Sequence, residues 1–588
     1  GGNNSPRPAS QRAAALVLTA ALLTGAAFPA FADTYYIEDG DITISAGENG
    51  NDVTQNETTT KNDTDTVITN RHKDTASSNT VTIEAKDEDD KVEVTLKDVN
   101  IDASRGSEAA VSVTGKGDTN IELDGDNELK SGAGHAGLEH NKTDTSGELT
   151  IQDKDNNGSL EAAGGFKGAG IGSAGSNDAQ VKITGGNITA TSDDWGAGIG
   201  SGSYGTGTVE ITGGEINATG GYLGAGIGGG CNGSGNVTIS GGTITAAGSD
   251  GAAGIGGGYY NGATVTITGD AVIKNTSSTK YGAGIGGGNG SDGNVTISGN
   301  AKIENATGGY GAAGIGGGAF SSPDKIGNGN VVIKDNAKID NVQGGAYGAG
   351  IGGGIFGLSN VTIEGNTKVN ATGGAGGAAI GGGAGAENNS DNNGNQITIK
   401  SNENGSPTIN AVGGGTDEGE EIVIGGAGIG AGCESDADAD ITLEGKVTIT
   451  ATAGKDNVAI GANGIEQEFS GLAEGSSITR YGSEGNDITL PTDPVPAVPS
   501  SSGGGSAGAS VQESVFPGLI VTDKDGQRIS YTSIRGNNVL SLRVGRFTAS
   551  LHASLSTLRQ LRAEGIDTIT FQTILCSTTL SVDELLAM

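Results

Sequence analysis

The chain has few of the residues from which compact cores and disulfide frameworks are built. Of its 588 residues only 4% are aromatic, 10 are proline and 3 are cysteine, whereas 112 are glycine. The cysteines, Cys231, Cys433 and Cys576, are too widely spaced for a disulfide framework or a metal-binding motif. Abundant glycine without proline and without a strict three-residue period excludes collagen. We therefore expect a thin, repetitive core of small and branched residues.

Positive charge is also scarce. The chain has 33 Lys and Arg against 69 Asp and Glu, a net charge of −36, and it has no arginine between residues 106 and 479. Such a polyanion has no electrostatic reason to bind nucleic acid. The lack of arginine argues against a polysaccharide lyase, which needs a strong base. A glycoside hydrolase with paired carboxylates stays open, because carboxylates that meet across coils are invisible in sequence.

Long apolar runs are missing except for residues 13–27. Arg7 and Arg12 precede this run, and Ala30, Phe31 and Ala32 follow it. The pattern is typical of a signal peptide, residues 1–32, cleaved after Ala32. The run is short for a transmembrane span. We expect a secreted or cell-surface protein that has no membrane span after cleavage.

The chain does contain many copies of one seven-residue motif, Gly-Ala-Gly-Ile-Gly-Gly-Gly. It is intact at residues 224–230 and 282–288, and most neighbouring copies lie 28–30 residues apart. Two degenerate copies, centred on Val111 and Leu138, extend the array to twelve units. Such a period indicates one structural unit repeated many times. The remaining copies centre on Ile171, Ile199, Ile255, Ile315, Ile351, Ile380, Ile429 and Ile460.

Each unit predicts three short strands and no helix. Residues 225–227, 237–239 and 243–245 alternate apolar with other side chains and are separated by glycine-rich turns. Three strands in 28–30 residues fit one coil of a solenoid. The predicted fold class is all-β, a right-handed parallel β-helix of about twelve coils over residues 106–470. An N-terminal β region and cap, residues 33–105, would precede it.

The composition changes towards the C-terminus. Residues 471–510 are rich in Pro, Ser and Gly and predict a linker. Residues 511–588 have arginine, leucine and phenylalanine in ordinary amounts, a helical leucine spacing and an alternating segment. We expect a small α+β module there.

The glycine motif has two interpretations, and the first rests on the alternation of side chains along a strand. Ala225 and Ile227 share one side and should point into the core, so Gly224, Gly226 and Gly228 should point outward. Stacked coils would then present a bare glycine strip, suited to close docking of a ligand. The other interpretation is that the glycines meet only the demands of backbone geometry.

Aromatic residues recur beside the glycine motif and suggest a binding site. Trp195, Tyr281, Tyr310 and Tyr347 directly precede it, Phe166 and Tyr222 are displaced by one residue, and a looser second set follows the motif. A row of rings can stack on the apolar faces of sugars while its polar edges stay hydrated. These six residues are the predicted carbohydrate-binding site. An aromatic ladder that only covers a turn is the alternative.

An acidic insertion is the only candidate metal site. Asp417, Glu418, Glu420 and Glu421 are hard oxygen ligands of the kind that calcium takes, although a solvated acidic loop would have the same composition. No histidine, serine or cysteine lies in a recognisable catalytic context, so no catalytic residue is predicted. Calcium is the one cofactor that the sequence suggests.

The chain also resembles a known family. An export signal is followed by the sequences TVTIEAKD and VTLKDVNIDAS, the block DGDNELKSGAGHAGLE at residues 124–139, and serial VTISGGTITAAG and GAAGIGGG repeats. Over roughly residues 79–470 this is similar to secreted carbohydrate-binding-domain-containing β-helix proteins of gut Firmicutes. The resemblance implies a β-helix that binds acidic or cellulosic polysaccharide, with or without calcium, but it identifies no ligand residue.

The expected function is therefore that of an exported, non-catalytic carbohydrate-binding or adhesion protein that recognises polysaccharide along the helix. A structural cell-surface spacer without a ligand is the first alternative. A polysaccharide lyase or glycoside hydrolase is the second. The sequence does not predict an oligomeric state.

Overall fold

Three parallel sheets, here called A, B and C, wind into one β-helix along most of the chain. The computed structural model describes residues 33–322, 324–388, 394–416, 424–495, 518–524, 526, 528–529, 531–536, 538–546, 548–573 and 576–587. Each typical coil contributes one strand to each sheet, and every strand pairs with its equivalent in the next coil. The predicted parallel β-helix is confirmed, and its handedness stays a prediction.

Sheet A carries the Ile-Gly step of the glycine motif. Ile199 pairs with Ile227, which in turn pairs with Ile255, so identical residues are stacked in register. The strands of sheet A are Ile42–Ala46, Val81–Ala85, Val111–Gly115, Leu138–Lys142, Ile171–Gly172, Ile199–Gly200, Ile227–Gly228, Ile255–Gly256, Ile285–Gly286, Ile315–Gly316, Ile351–Gly352, Ile380–Gly381, Ile429–Gly430 and Ile460–Ala462.

Sheet B carries the Val-Thr-Ile strands, whose apolar residues point inward and whose threonines point outward. Val237 pairs with Val265, and Val265 pairs with Val295. Its strands are Thr34–Tyr36, Val67–Thr69, Lys91–Lys97, the first half of Asp118–Lys130, Leu149–Gln152, Asp178–Ile183, Gly207–Ile211, Gly235–Ile239, Ala263–Ile267, Gly293–Ile297, Gly329–Ile333, Ser359–Glu364, Asn395–Lys400 and Ala439–Glu444.

Sheet C closes each coil and leads back to sheet A. Its register shifts at Ile244/Thr245, where a bulge interrupts the ladder. Its strands are Asn100–Asp102, the second half of Asp118–Lys130, Gly158–Gly164, Asn187–Ser192, Glu215–Thr219, Thr243–Gly248, Val272–Ser278, Lys302–Ile303, Ala306–Thr307, Lys338–Gln343, Lys368–Thr372, Thr408–Val412, Thr448–Thr452 and Ser477–Tyr481.

The helix is longer than the sequence predicts. In the described chain fourteen strands of sheet A stack in parallel, because two precede the first recognised copy at Val111: Val81–Ala85 pairs with Val111–Gly115, and Ile42–Ala46 pairs with Val81–Ala85. These two strands lack the glycine motif, which is why the count of about twelve was too low. The predicted boundary at residue 105 marks no change of fold. At the other end, Ser477–Tyr481 is the last strand of sheet C and lies within the predicted linker.

The core is a stack of branched side chains enclosed by the three sheets. Ile227, Ile239 and Ile244 belong to one coil and are all fully buried. Because about 4.8 Å separates neighbouring strands, each inward residue packs on its equivalents above and below. The expectation of a thin, repetitive core is confirmed.

The glycines of the motif are buried, so the prediction of a bare outward strip is wrong. Residues 224–230 are all buried. The sheet A strand is only two residues long, and the chain then folds back so that Ala225 N–H donates to Gly229 O at 2.9 Å. A Cβ on Gly226 would lie 2.6 Å from Gly254 O. Glycine is required because neighbouring backbone, not a ligand, covers it.

Both ends of the helix carry extra elements. At the N-terminal end, Asn51–Gln55 and Thr58–Asp63 add antiparallel strands to sheet A, beside the 3-10 helix Ile37–Asp39. At the C-terminal end, Ile465–Glu466 pairs antiparallel with Ile460–Ala462. These additions cover strand edges that would otherwise pair with other chains.

A small α+β module follows the helix. One sheet has the order Arg528–Ile529, Leu519–Thr522 and Ser550–Ala553, and the other has the order Thr532–Arg535, Val539–Arg543, Thr568–Gln572 and Ser577–Ser581. Its helices are Leu555–Ala563, whose N-cap Ser554 accepts from Thr557 N–H, and Val582–Ala587. Among the described residues, neither helix is long and apolar enough to cross a membrane.

Candidate functional site

Two loops per coil lie side by side and form the candidate site. The first loop joins sheet C to sheet A, as in residues 220–226, and the second joins sheet A to sheet B, as in residues 229–234. The second loop of each coil donates a backbone hydrogen bond to the first loop of the preceding coil. Cys231 N–H donates to Trp195 O at 2.7 Å, and Ala384 N–H donates to Tyr347 O at 2.8 Å. The loops therefore stack into one continuous ridge.

Most of these loops have one residue in the left-handed backbone region. Glycine fills this place in several coils, for example at Gly251 and Gly311 in first loops and at Gly290 and Gly385 in second loops. In some coils a non-aromatic residue such as Lys167, Ser176 or Leu223 fills it, and in others an aromatic residue does. The aromatic residues are Trp195, Tyr204, Tyr260, Tyr281, Tyr347 and Phe356, with φ between 60° and 71°.

An aromatic residue at positive φ is energetically costly. A left-handed conformation costs a residue with a Cβ about 1–2 kcal/mol, and glycine avoids that cost. Six aromatic residues accept it on this chain, whereas other coils form the equivalent loop with glycine or with a non-aromatic residue such as Lys167 or Leu223. Backbone geometry alone therefore does not explain why these rings are present. Strain of this kind commonly marks functional positions.

The rings form small clusters along the ridge. Phe166 contacts Trp195 with ring centroids 5.2 Å apart. Tyr310 lies edge to face with both Tyr281 and Tyr347, at 6.2 Å and 5.7 Å. We call these and the other loop aromatics the aromatic ridge, which comprises Phe166, Trp195, Tyr204, Tyr222, Tyr259, Tyr260, Tyr281, Tyr310, Phe320, Tyr347 and Phe356, including the contacting pairs Tyr259–Tyr260 and Phe320–Phe356.

Much of the ridge is open to solvent. The exposed fractions are 57% for Tyr204, 51% for Tyr222 and 40% for Tyr310, so these rings retain faces that a ligand can reach. Tyr259 is more enclosed: its ring occupies the space that a Cβ on Gly251 would need, and burial raises its pKa. The ridge thus combines packed rings with exposed ones.

Lysines accompany three of the ring clusters. Lys167 Nζ lies 5.3 Å from the ring centroids of both Phe166 and Trp195. Lys280 Nζ lies 4.6 Å from the ring of Tyr281, and a hydrogen bond with that phenol raises the pKa of Lys280. At these distances an ammonium group is attracted to the face of an aromatic ring. Lys325, from an insertion, lies 4.3 Å from the ring of Tyr260.

The structure brings five of the six predicted site residues into ring contact. Phe166 and Trp195 form one pair, and Tyr281, Tyr310 and Tyr347 form one run over successive coils. Tyr222 lies on the same ridge without a ring contact to the other predicted residues. Tyr310 precedes the left-handed residue Gly311, so it belongs with the displaced set and not with the set directly before the motif.

Sequence reasoning missed the lysines and left the second-loop rings out of the site. Lys167 follows Phe166, and Lys280 precedes Tyr281, so adjacency in sequence was an available signal. Lys325 lies 65 residues from Tyr260 and had no such signal. Only the stacking of loops from different coils brings those two residues together.

The predicted metal ligands Asp417, Glu418, Glu420 and Glu421 lie outside the described residues. Within the described part of the chain, no group of three or more His, Cys, Asp or Glu side chains could hold a metal ion.

The block at residues 124–139 begins in the strand Asp118–Lys130 and ends in a turn where a carboxylate replaces a backbone carbonyl. Glu139 pairs with Gly172 in sheet A, and its Oε2 accepts from Ala136 N–H and lies 2.9 Å from His135 Nδ1. In the coil of Ala225 the equivalent acceptor is Gly229 O. Glu139 is only 5% exposed, and its carboxylate stabilises the loop through these two contacts.

Three other reactive side chains are buried. Burial lowers the pKa of His140 and raises the pKa of Cys231 and of Cys433 to about 11. The thiols are therefore protonated at neutral pH and are poor nucleophiles.

Stacked coils of three parallel strands, a branched core and paired loops define the chain as a parallel β-helix protein. A family model for the beta-helix repeat matches residues 181–203, 209–231, 237–259 and 295–319, all within this part of the chain. No curated protein and no solved structure matches the chain.

Proposed function

We propose that this protein is a non-catalytic polysaccharide-binding protein that works at the cell surface or after secretion, with the aromatic ridge as its binding surface. One observation carries the proposal: aromatic rings gather along one ridge, and six of them occupy left-handed positions that glycine or a non-aromatic residue fills in other coils. The cost of that conformation is offset if the rings contact a ligand. The β-helix fold is compatible with such a role, since long solenoids offer extended binding surfaces.

The run of three tyrosines indicates how a bound polysaccharide would lie on the β-helix. Tyr281, Tyr310 and Tyr347 come from successive coils, so their rings are spaced along the helix axis at 6.2 Å and 5.7 Å between centroids. A linear polysaccharide lying along this axis would place successive sugars on successive rings. Sugar C–H faces pack on the rings while hydroxyl groups stay hydrated. Affinity should therefore rise with oligosaccharide length until the ligand spans the run.

The first experiment measures retention of the full chain on cellulose and on immobilised polygalacturonate, with calcium and with EDTA, because calcium dependence remains part of the proposal. We expect at least one of the two glycans to retain the protein. The triple variant Tyr281→Ala, Tyr310→Ala, Tyr347→Ala should bind at least tenfold more weakly, about 1.4 kcal/mol. The oligosaccharide series is then tested on the same glycan.

The matched control changes three outward threonines of sheet B in the same part of the helix. Thr238, Thr266 and Thr296 are stacked in register on a different face. Their triple alanine variant should bind like the unchanged protein. Circular dichroism establishes that both triple variants keep their β structure. Loss of binding in the control but not in the tyrosine variant would move the site to sheet B.

Two further outcomes would contradict the proposal. If neither glycan retains the protein under any of these conditions, the ridge only covers the loops and the chain is a structural spacer. Release of new reducing ends or unsaturated ends during incubation would show an enzyme and overturn the non-catalytic assignment.

A further inference from the structure

A cleft lies where the C-terminal module meets the end of the β-helix. A cavity of about 660 Å³ has Tyr481 and residues 484–487 on the helix side and Arg528, Tyr531 and residues 543–546 on the module side. A second cavity of about 390 Å³ continues it over the last two strands of sheet C. Both cavities share Thr479, Tyr481 and Arg543. Ligand sites commonly occur in concave junctions of this size. We call the two cavities together the junction cleft.

The two sides of the junction cleft are in direct contact. Arg546 Nη1 donates to Glu484 O at 2.8 Å. Gly485 and Gly545 approach each other backbone to backbone, and a Cβ on Gly545 would lie 3.4 Å from the ring of Tyr481. The close approach of these glycines brings the two sides of the cleft together beside Tyr481.

Cations that have no ion pair line the cleft. Arg528 and Arg546 line the larger cavity, Lys446 lines the smaller one and Arg543 lines both, and none forms an ion pair in the part of the chain that the structure describes. Arg543 Nε donates to the neutral Gln572 Oε1 at 3.1 Å. The chain as a whole has 69 acidic residues for 33 basic ones. The cleft therefore concentrates cations in a chain that is acidic as a whole.

Other polar residues that line the cleft indicate which further groups a ligand would carry. Thr448, Thr450, Ser477 and Thr479 present hydroxyl groups from sheet C, and Tyr481 adds a phenol. Two carboxylates, Glu484 and Asp487, lie on the helix side of the cleft. Guanidinium groups match the planar geometry of carboxylate and the oxygens of phosphate. Hydroxyl groups donate to and accept from other hydroxyl groups.

We infer that the junction cleft binds a hydroxyl-rich small ligand that carries an oxyanion, as a sugar carboxylate or a sugar phosphate does. Arg543, at the centre of both cavities, would bind the oxyanion, and the sheet C hydroxyl groups would bind the sugar. The site is separate from the aromatic ridge and does not depend on the proposed function.

Isothermal titration of the full chain tests the inference with glucuronate, glucose 6-phosphate and glucose as probes. We expect at least one anion to bind and glucose to bind at least tenfold more weakly. Which of the two anions binds distinguishes a carboxylate ligand from a phosphate ligand. Arg543→Gln should weaken binding at least tenfold, and Lys446→Gln, at an exposed position, should weaken it without risk to the fold.

Arg559→Gln is the matched control, because Arg559 is an exposed arginine of Leu555–Ala563 and does not line either cavity. It should leave binding unchanged. The triple tyrosine variant of the ridge should also bind the anion normally. Equal binding of glucose, absence of binding by both anions, or equal loss in Arg559→Gln would overturn the inference. Loss only in the ridge variant would place the anion on the ridge and overturn it as well.

Discussion

At the scale of single residues, Tyr204 and Tyr222 are both exposed, but only Tyr204 has a left-handed backbone. Tyr204 has φ 64° and is 57% exposed, so its ring contributes little burial while its backbone is strained. Tyr222 is exposed to a similar extent, but the left-handed place in its loop belongs to Leu223. The two tyrosines therefore differ mainly in backbone conformation.

Replacing Tyr204 by glycine should leave stability unchanged or raise it by up to about 1 kcal/mol, because glycine removes the left-handed strain. The same change at Tyr222 relieves no such strain and should lower stability by about 0.5–1 kcal/mol. Denaturant unfolding of both variants measures the difference. A Tyr204→Gly variant that is less stable than Tyr222→Gly would mean that the Tyr204 ring supports the fold.

At the scale of elements, buried charges complete the C-terminal end of the helix. Arg480 is fully buried, and its Nε and Nη2 donate to the buried carboxylate of Asp493 at 2.7 Å and 2.9 Å. Its Nη1 donates to Glu466, whose two oxygens accept from Ala459 N–H and Ile460 N–H. Side chains thus satisfy donors of the last sheet A strand that no further coil can satisfy.

Arg480→Met should destabilise the helix by about 3–5 kcal/mol, because Asp493 would be left as an unpaired buried charge. Equilibrium denaturation measures the loss, and analytical ultracentrifugation detects association through the uncovered edge. Arg535→Met is the comparison, since Arg535 and Glu564 form an exposed ion pair. That substitution should cost at most about 1 kcal/mol. Similar costs for the two variants would argue against a capping role.

At the scale of the whole molecule, the helix is a stack of units that contact mainly their neighbours. Ile171, Ile199 and Ile227 are equivalent residues, and the strands between them repeat in the same register. In such a solenoid, stability is close to a sum over units and over their interfaces. One complete unit should therefore be dispensable.

Deletion of residues 199–226, one 28-residue unit, should leave a folded β-helix because Gly198 would continue directly into Ile227. The loss in unfolding free energy should be about one-fourteenth of the helix total. Far-UV circular dichroism and denaturant unfolding measure both quantities. Deletion of residues 199–212 alone breaks the register and should prevent folding of the following coils. A folded product from that half-unit deletion would contradict the unit assignment.

The sequence by itself determined the repeat, the inward isoleucines and valines, the parallel β-helix and the aromatic positions beside the motif. These follow from periodicity, because a strand exposes alternate residues and a solenoid stacks equivalent ones. It predicted β structure over residues 33–105 but did not assign the strands at Ile42 and Val81 to the β-helix, since they carry no glycine motif. Only strand pairing identifies them as part of the helix.

The tertiary structure alone decided what covers the glycines, which rings meet and how the ends are closed. Gly226 is buried because the backbone of the next coil lies against it, and alternation within a two-residue strand could not predict that. Lys325 contacts Tyr260, which belongs to a different coil. Arg480 likewise donates to Asp493, which belongs to a different segment. Periodicity specifies each coil, but these contacts arise only when coils and loops pack on one another.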